Sequence, residues 1–180
     1  DHNPKVADMI VAIDGELGAV NYGALGIYWS KMKFTAPGAH TLNSRNQPNP
    51  ARAVSQCITD IYTVPLPPAD APVPAIYNIG MLGGGTVVNA ISPESWFTVD
   101  LRTIDAGLLK QLDGQIMARC EAAAKAQSVT FQREYIQQSE AGGRADQLTK
   151  QLASAPVQTT ILPLVPTFTV APSLTTSDTF

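Results

Sequence analysis

The order in which strand-like and helix-like segments follow one another is the feature that most constrains the fold of this chain. Two segments have the apolar spacing of amphipathic helices, and four others have the alternation or the aromatic content of half-buried strands. The strand-like segments are residues 26–34, 76–82, 96–102 and 129–135, and a helical segment follows the first and the third of them. This order predicts an antiparallel sheet covered by two helices.

Cap residues and apolar stripes define the two helices. Asn49 and Pro50 supply an N-cap and a first-turn proline for the first helix, which continues until Pro65 stops it. Asp105 caps the second helix, which ends near Gln127. The stripes are Ala53, Val54, Cys57, Ile58 and Ile61 in the first helix, and Leu108, Leu109, Leu112, Ile116 and Cys120 in the second. Each helix therefore has one face with which to cover a sheet.

The strand at residues 96–102 has the clearest period of two. Phe97, Val99 and Leu101 point to one face, and the polar or larger residues between them point to the other. The predicted fold class is α+β, a ferredoxin-like βαββαβ sandwich with four antiparallel strands and both helices on one face, over residues 23–138. This fold by itself names no function.

Composition excludes some partners. The net charge is −3 and the basic residues are scattered, so we expect no binding to nucleic acid. No segment approaches the roughly 18 apolar residues that span a bilayer, so we expect no membrane insertion. Only 15% of the residues are charged, and the chain is rich in Asn, Gln, Thr and Pro, which suits an exported protein. The compartment stays open.

The two cysteines, Cys57 and Cys120, fall on the apolar stripes of the two predicted helices. Two cysteines do not make a metal cage, and free cysteine is commonly a buried residue. We expect two buried thiols rather than a disulfide.

Three polar residues stand near the ends of predicted strands or in loops: His40, Asn89 and Arg102. Arg grips a carboxylate with two parallel hydrogen bonds, and the donors of Asn and His suit a developing oxyanion. We therefore expect these side chains to gather at one edge and capture a substrate. The glycines at 83–85 precede Asn89 without the helix and Lys of a phosphate loop, so they favour a close backbone crossing over nucleotide binding.

Five motifs, in this order, resemble the lid or dimerisation domain of the zinc aminoacylase and carboxypeptidase family, which includes aminoacylase, acetylornithine deacetylase, peptidase T, allantoate amidohydrolase and β-alanine synthase. The motifs are AIDGE at 12–16, GAH at 38–40, NPARAV at 49–54, GGTVVN at 84–89 and DLR at 100–102. The resemblance covers residues 6–134. It implies that residues 1–22 and 139–180 are incomplete pieces of an α/β catalytic domain on either side of a lid at 23–138.

The resemblance also implies a role for each polar residue. His40 would reach into the active site of a partner subunit and assist catalysis there, and Asn89 and Arg102 would hold the substrate, a small peptide or an N-acyl amino acid. Asp14 would be a zinc ligand in a centre of two zinc ions. The implied activity is zinc-dependent amide hydrolysis by a homodimer, with contacts through the first helix (49–64) and the strand at 76–82.

Most other ligands of such a centre have no counterpart here, because His2 and His40 are the two histidines and no neighbouring pair of glutamates occurs. We therefore expect a piece of a longer enzyme that is inactive alone and binds little zinc.

Each assignment has a structural alternative. His40 could be a solvated or hydrogen-bonding loop residue, and Arg102 could pair with Asp100 or Asp105. Asn89 could shape a turn, and Asp14 could form a turn before Gly15. The alternative for the whole chain is a noncatalytic ferredoxin-like module that binds a small ligand or another protein.

Overall fold

The computed structural model describes residues 19–21, 23–144 and 160–162. Its elements, in chain order, are β1 (Ala19–Asn21), β2 (Gly23–Ala24), β3 (Gly26–Thr35), β4 (Ala39–His40), a 3₁₀ helix (Thr41–Asn43), α1 (Pro50–Ile61), β5 (Ala75–Gly84), β6 (Ala90–Ile91), β7 (Glu94–Thr103), α2 (Ala106–Gln127), β8 (Thr130–Ser139), β9 (Gly143–Arg144) and β10 (Thr160–Leu162).

Four long strands form one antiparallel sheet in the order β5-β7-β3-β8. Both helices contribute to the core that covers one of its faces, and α1 and α2 also pack against each other. The largest fully buried side chains of that core are Phe34, Phe97, Met32, Ile61, Leu101, Leu109, Leu112 and Ile116. The predicted α+β, ferredoxin-like fold is confirmed, including the buried face that was expected for β7.

Three short pairings accompany the sheet. β1 pairs with β10 in parallel, and β2 pairs with β9 and β4 with β6 in antiparallel fashion. The residue pattern also predicts a strand at 160–165, and β10 covers its first three residues. A short helix that the pattern predicts at 144–153 lies outside the described residues apart from Arg144, which belongs to β9. The division into segments 1–22, 23–138 and 139–180 stays a prediction.

The predicted caps start both helices. The Asn49 side chain accepts hydrogen bonds from the main-chain N–H groups of Ala51 and Arg52, and Asp105 accepts one from Leu108. These bonds satisfy donors that have no partner inside the helix. α1 ends at Ile61, before the expected stop at Pro65, because Tyr62 closes the last turn as the C-cap.

All four long strands extend beyond their predicted bounds, and in β5 and β8 irregular pairing hides the period on which the prediction rests. In β8 the register with β3 shifts at Trp29/Ser30, so that Ile136 has no opposite residue and the strand continues to Ser139. In β5 the register shifts between Ile79 and Leu82, and the strand continues into the glycines. A bulge interrupts the alternation from which a strand is predicted.

The expectation of two separate thiols is wrong. Cys57 of α1 and Cys120 of α2 form a disulfide with a Cα–Cα distance of 5.0 Å, and neither residue is exposed to solvent. Helical spacing predicted correctly that both residues face the core, but not that the two stripes meet at this pair. The bond fixes α1 to α2.

The glycines at the end of β5 allow the expected close crossing. A Cβ atom on Gly83 would lie 2.6 Å from the ring of Trp96, and one on Gly84 would lie 2.6 Å from the carbonyl oxygen of Glu94. Gly84 and Gly85 also have positive φ angles of 139° and 82°. The crossing leads the chain from β5 into the loop that carries Asn89.

Candidate functional site

The loops beyond the sheet are joined by a short strand pair that brings two distant parts of the chain together. His40 of β4 pairs with Ala90 of β6, and the main-chain N–H of Thr41 donates to the carbonyl oxygen of Asn89 at 2.9 Å. Gly38 turns the chain into β4 with a φ of 78°. Backbone hydrogen bonds therefore hold residues 40 and 89 side by side, although 49 positions separate them.

The side chains of His40 and Asn89 meet at this pairing. Nε2 of His40 lies 3.4 Å from Nδ2 of Asn89, and both residues are exposed. The other ring nitrogen, Nδ1, accepts a hydrogen bond from the main-chain N–H of Leu42 at 3.3 Å. We call His40 and Asn89 the donor pair. Two nitrogen atoms that can donate to the same oxygen are typical of a site for an oxyanion or a carbonyl group.

Exposed apolar side chains occur within two residues of each member of the donor pair along the chain. Leu42 is 87% exposed, and Val87 and Val88 of the preceding loop are also exposed. Apolar residues this exposed beside polar donors are typical of a surface that another molecule covers.

Asn89 does not shape its loop through a left-handed backbone. Among the described residues, the non-glycine positions with positive φ are Asn46 and Ser128. The turn before Asn89 instead uses the positive φ angles of Gly84 and Gly85. The backbone of Asn89 therefore does not support the alternative in which this residue only shapes a turn.

Arg102 lies on the sheet face opposite the helices. Its Nε atom donates to both carboxylate oxygens of Asp100, at 2.9 and 3.0 Å, and its guanidinium group lies 5.7 Å from the ring centre of Trp29. The expected pairing with Asp100 is thus present. The Arg102 side chain is 36% exposed.

The donor pair and Arg102 lie at opposite ends of the sheet. The donor pair follows the end of the sheet at which β3 finishes and β7 starts, where the main-chain N–H of Ala36 donates to the carbonyl oxygen of Pro93. Arg102 is paired with Ile27 and Ile76 near the other end of β7. The eight residue steps of β7 from position 94 to 102 span roughly 26 Å. The expectation that the three side chains gather at one edge does not hold within a single chain.

The described residues do not build a metal centre. No three His, Cys, Asp or Glu side chains among residues 23–142 are grouped so that they could hold an ion. Asp14 lies outside the described residues, so its expected role as a zinc ligand stays a prediction.

In the part of the chain that the structure describes, no helix is long and apolar enough to cross a membrane.

Sequence reasoning did not identify three contacts. The main-chain N–H of Leu42 donates to His40, and the Trp29 ring lies under the guanidinium group of Arg102. The ammonium group of Lys31 lies 4.3 Å from the centre of the Trp96 ring. Trp29 in β3 and Trp96 in β7 each share a strand face with charged residues, a signal that could have suggested the stacking. The Leu42 contact depends on the 3₁₀ turn and has no signal in the residue types.

Several solved structures contain a region similar to this chain. They include an aminobenzoyl-glutamate utilization protein from Klebsiella pneumoniae (17% identity, TM-score 0.66, 83% of this chain and 40% of that one). A putative aminohydrolase from methicillin-resistant Staphylococcus aureus has 18% identity and a TM-score of 0.62, over 83% of this chain and 40% of that one. A hydantoinase/carbamoylase family amidase from Burkholderia ambifaria has 18% identity and a TM-score of 0.60, over 80% and 36%.

At this identity the similarity establishes a shared fold, and the chain spans at most 40% of the length of these three structures. No protein-family model and no curated protein matches the sequence. The neighbours named above are an amidase, an aminohydrolase and an aminobenzoyl-glutamate utilization protein.

Proposed function

We propose that this chain is the lid and dimerisation part of a zinc-dependent hydrolase that cleaves amide bonds of small peptides or N-acyl amino acids. The observation that carries the proposal is the donor pair, which the β4–β6 pairing holds at the end of a fold shared with amidases and an aminohydrolase. The metallopeptidase motifs at 38–40, 84–89 and 100–102 support the same reaction class.

The donor pair would act on the scissile carbonyl group. Attack on an amide moves negative charge onto the carbonyl oxygen, and donors that are already in place stabilise that charge without reorganisation. His40 and Asn89 would supply these donors. Loss of one such donor typically lowers turnover about 100-fold to 1,000-fold.

Arg102 would bind the substrate carboxylate. The guanidinium group keeps its charge, and Asp100 and Trp29 fix its orientation. A group that is held in place loses little conformational freedom when a carboxylate binds. Arg102 would therefore contribute to substrate binding rather than to the chemical step.

A single small substrate can contact the donor pair and Arg102 only when two chains contribute. The distance of roughly 26 Å along β7 exceeds the length of a dipeptide or an N-acyl amino acid, because an extended chain covers about 3.5 Å per residue. A twofold dimer would place the donor pair of one chain near Arg102 of the other.

The dimer surface would consist of β5 and α1. β5 is an edge strand without a charged residue, and its Met81 and Leu82 are 55% and 66% exposed. On the exposed side of α1, the hydroxyl groups of Ser55 and Thr59 donate to carbonyl oxygens four residues earlier. They would therefore keep a hydrogen-bond partner when a second chain covers α1. The other edge strand, β8, carries charged residues and suits solvent.

Sedimentation of edge variants tests the dimer. Leu82→Lys places a charge on β5 and is expected to give a monomer, whereas Ile136→Lys places it on β8 and is expected to leave the dimer intact. Ile136 is 52% exposed and matches Leu82 in character. A wild-type chain that sediments only as a monomer at high concentration would contradict the proposal.

Zinc would be held mainly by parts of the full-length protein outside this chain, with Asp14 as one ligand of a two-ion centre. Zinc polarises a carbonyl group and activates water when it is bound. The described residues do not form the site, so their proposed tasks are limited to donation, orientation and closure.

The reaction class is tested by hydrolysis of N-acyl amino acids and dipeptides with the full-length protein, before and after chelation of metal. His40→Ala is expected to lower turnover at least about 100-fold while the protein stays folded, since the side chain is exposed. His2→Ala is the matched control. Near-normal turnover of His40→Ala would remove His40 from the mechanism, and a metal-independent binding activity without hydrolysis would favour the noncatalytic module.

A further inference from the structure

Leu42, Val87 and Val88 are apolar residues that lie open to solvent on the two segments that carry the donor pair. Leu42 is 87% exposed, and Val88 is fully exposed. The main-chain N–H of Thr41 donates to the carbonyl oxygen of Asn89 at 2.9 Å, so the residue after Thr41 and the residue before Asn89 flank the same hydrogen bond. We call Leu42, Val87 and Val88 the apolar rim.

The apolar rim does not contribute to the core of the fold. In the part of the chain that the structure describes, its three residues belong neither to the buried core nor to the apolar side chains packed against that core. Single exposed apolar residues are normal on a protein surface, but several of them beside polar donors are typical of a binding surface. A ligand therefore explains the rim better than a structural role does.

The backbone that carries the rim is held in place by the fold itself. The hydroxyl and main-chain N–H groups of Ser44 both donate to the carbonyl oxygen of Thr41, at 2.8 and 3.2 Å. On the other segment, Ala90 follows the donor pair's Asn89 and belongs to the β4–β6 pairing. An apolar surface on a fixed backbone loses little conformational freedom when a ligand covers it.

The segments around the rim carry no Asp, Glu, Lys or Arg from residue 38 to 44 and from residue 83 to 93. A charged group of a ligand would lose water there without gaining an opposite charge, which costs free energy. An aliphatic or aromatic group instead gains free energy in proportion to the apolar area that it removes from water. The composition of these segments therefore favours an apolar group.

The rim is close to the donor pair along the chain. Leu42 is two positions after His40, and Val88 directly precedes Asn89. One residue covers at most about 3.5 Å, so no more than roughly 7 Å of main chain separates the rim from the donor pair. If the donor pair contacts the scissile carbonyl group, the part of the substrate within reach of the rim is the acyl group attached to that carbonyl.

We infer that the apolar rim determines specificity for the acyl part of the substrate, and that the preferred acyl group is an aliphatic or aromatic one. The position of the scissile amide in this inference rests on the proposed function. The occupant of the rim is the acyl chain of an N-acyl amino acid or the amino-terminal side chain of a dipeptide. A second chain or another domain would instead cover the rim without regard to the length of the acyl group.

The kcat/KM values of a series of N-acyl amino acids test the inference in the full-length protein. The amino acid stays constant while the acyl group grows from acetyl to butanoyl and hexanoyl. Each buried methylene raises kcat/KM by up to about fourfold, so we expect the hexanoyl substrate to exceed the acetyl substrate at least about tenfold. Leu42→Ser combined with Val88→Ser should reduce this ratio to about threefold or less, and should change the value for the acetyl substrate by less than about threefold.

Ile136→Ser is the matched control, because Ile136 is 52% exposed on the edge strand β8. We expect it to keep the wild-type ratio of hexanoyl to acetyl substrate. Both variants should keep the thermal stability of the wild type, since the substituted side chains are exposed. A wild-type ratio near one, or a rim variant that lowers kcat/KM by the same factor for every acyl length, would overturn the inference.

Methyl NMR separates this inference from the proposed function. In the full-length protein without metal, labelled Leu and Val methyl groups report on binding when no substrate is consumed, and the rim variant assigns the signals of Leu42 and Val88. We expect N-hexanoylglycine to shift these signals and N-acetylglycine at the same concentration to leave them unchanged. A protein that shows these shifts but hydrolyses no amide would refute the proposed function alone. Signals that respond equally to both compounds, or to neither, would overturn the inference.

Discussion

Gly83 in β5 and Gly114 in α2 differ in the space around them. A Cβ atom on Gly83 would lie 2.6 and 2.8 Å from atoms of the Trp96 ring, which in turn supports the Lys31 ammonium group. A Cβ atom on Gly114, within α2, would have no neighbour within 4 Å. Packing requires the first glycine, whereas the second only adds flexibility to the unfolded chain.

Substitution of each glycine by alanine should therefore change stability in opposite directions. Gly83→Ala forces the Trp96 ring to move and is expected to lower the free energy of unfolding by about 1–3 kcal/mol. Gly114→Ala is expected to raise it by about 0.5–1 kcal/mol, because alanine is the better helix former. Urea unfolding measures both values. A stabilised Gly83→Ala variant would show that the ring moves freely.

The residue types of the site were predictable, but their contacts were not. His40, Asn89 and Arg102 were identified because their side chains suit oxyanions and carboxylates. The contact between His40 and Asn89 depends on a two-residue strand pair, which is too short to produce a periodic pattern. The ion pair with Asp100 was foreseen as an alternative because residues two apart on a strand share a face.

At the scale of elements, long periodic segments were predicted well and their junctions less well. The caps of α1 and α2 agree with the structure because Asn49 and Asp105 act locally. Carbonyl groups at and just after the C-terminal end of α1 find a hydrogen-bond partner in another element. The hydroxyl group of Tyr77 in β5 lies 2.9 Å from the carbonyl oxygens of both Ile61 and Val64. A distant tyrosine thus satisfies the end of the helix.

The Tyr77 contact predicts a dependence on pH. Burial raises the pKa of Tyr77 above its ordinary value of 10.0. The neutral hydroxyl donates to the carbonyl groups, so its contribution is complete below pH 10.0 and is lost as the pH rises through the raised pKa of the folded state. Tyr77→Phe is expected to lower the free energy of unfolding by about 1–2 kcal/mol at neutral pH.

The difference between wild type and Tyr77→Phe should shrink above about pH 10. Denaturant unfolding at a series of pH values measures it. Tyr62→Phe is the control, because Tyr62 is 56% exposed, and we expect a change within about 0.5 kcal/mol. A difference that stays constant into the alkaline range would contradict the role of the neutral hydroxyl.

At the scale of the whole molecule, the disulfide links the two helices that cover the sheet. Cys57 and Cys120 are 63 residues apart in sequence, so the bond closes a long loop in the unfolded chain. The loss of loop entropy stabilises the fold by about 4 kcal/mol in the chain-entropy view. Such bonds persist in oxidising compartments.

Reduction should accordingly weaken the fold as a unit. With a reductant present throughout denaturant unfolding, we expect the free energy of unfolding to fall by about 2–4 kcal/mol. The variant with both Cys57→Ala and Cys120→Ala should be insensitive to the reductant. Equal stability of the oxidised and reduced wild-type chains would show that packing between α1 and α2, rather than the bond, holds the helices together.

The separation of the donor pair from Arg102 leads to a prediction about mixed dimers. If each site takes the donor pair from one chain and Arg102 from the other, His40→Ala and Arg102→Ala should each lower kcat/KM at both sites of a homodimer, the first through the chemical step and the second through substrate binding. A mixed dimer of these two variants has one site with both mutations and one site with neither. Co-expression with two affinity tags allows the mixed dimer of the full-length protein to be isolated.

We expect the purified mixed dimer to regain about half of the wild-type kcat/KM, because one of its two sites is intact. The matched control combines His40→Ala with Asn89→Ala. These residues belong to the same donor pair, so every site in that mixed dimer carries one mutation and activity should stay low. Recovery in the control, or none in the first mixture, would mean that the three side chains do not divide between two chains. The spacing along β7 would then separate two independent sites rather than the two halves of one.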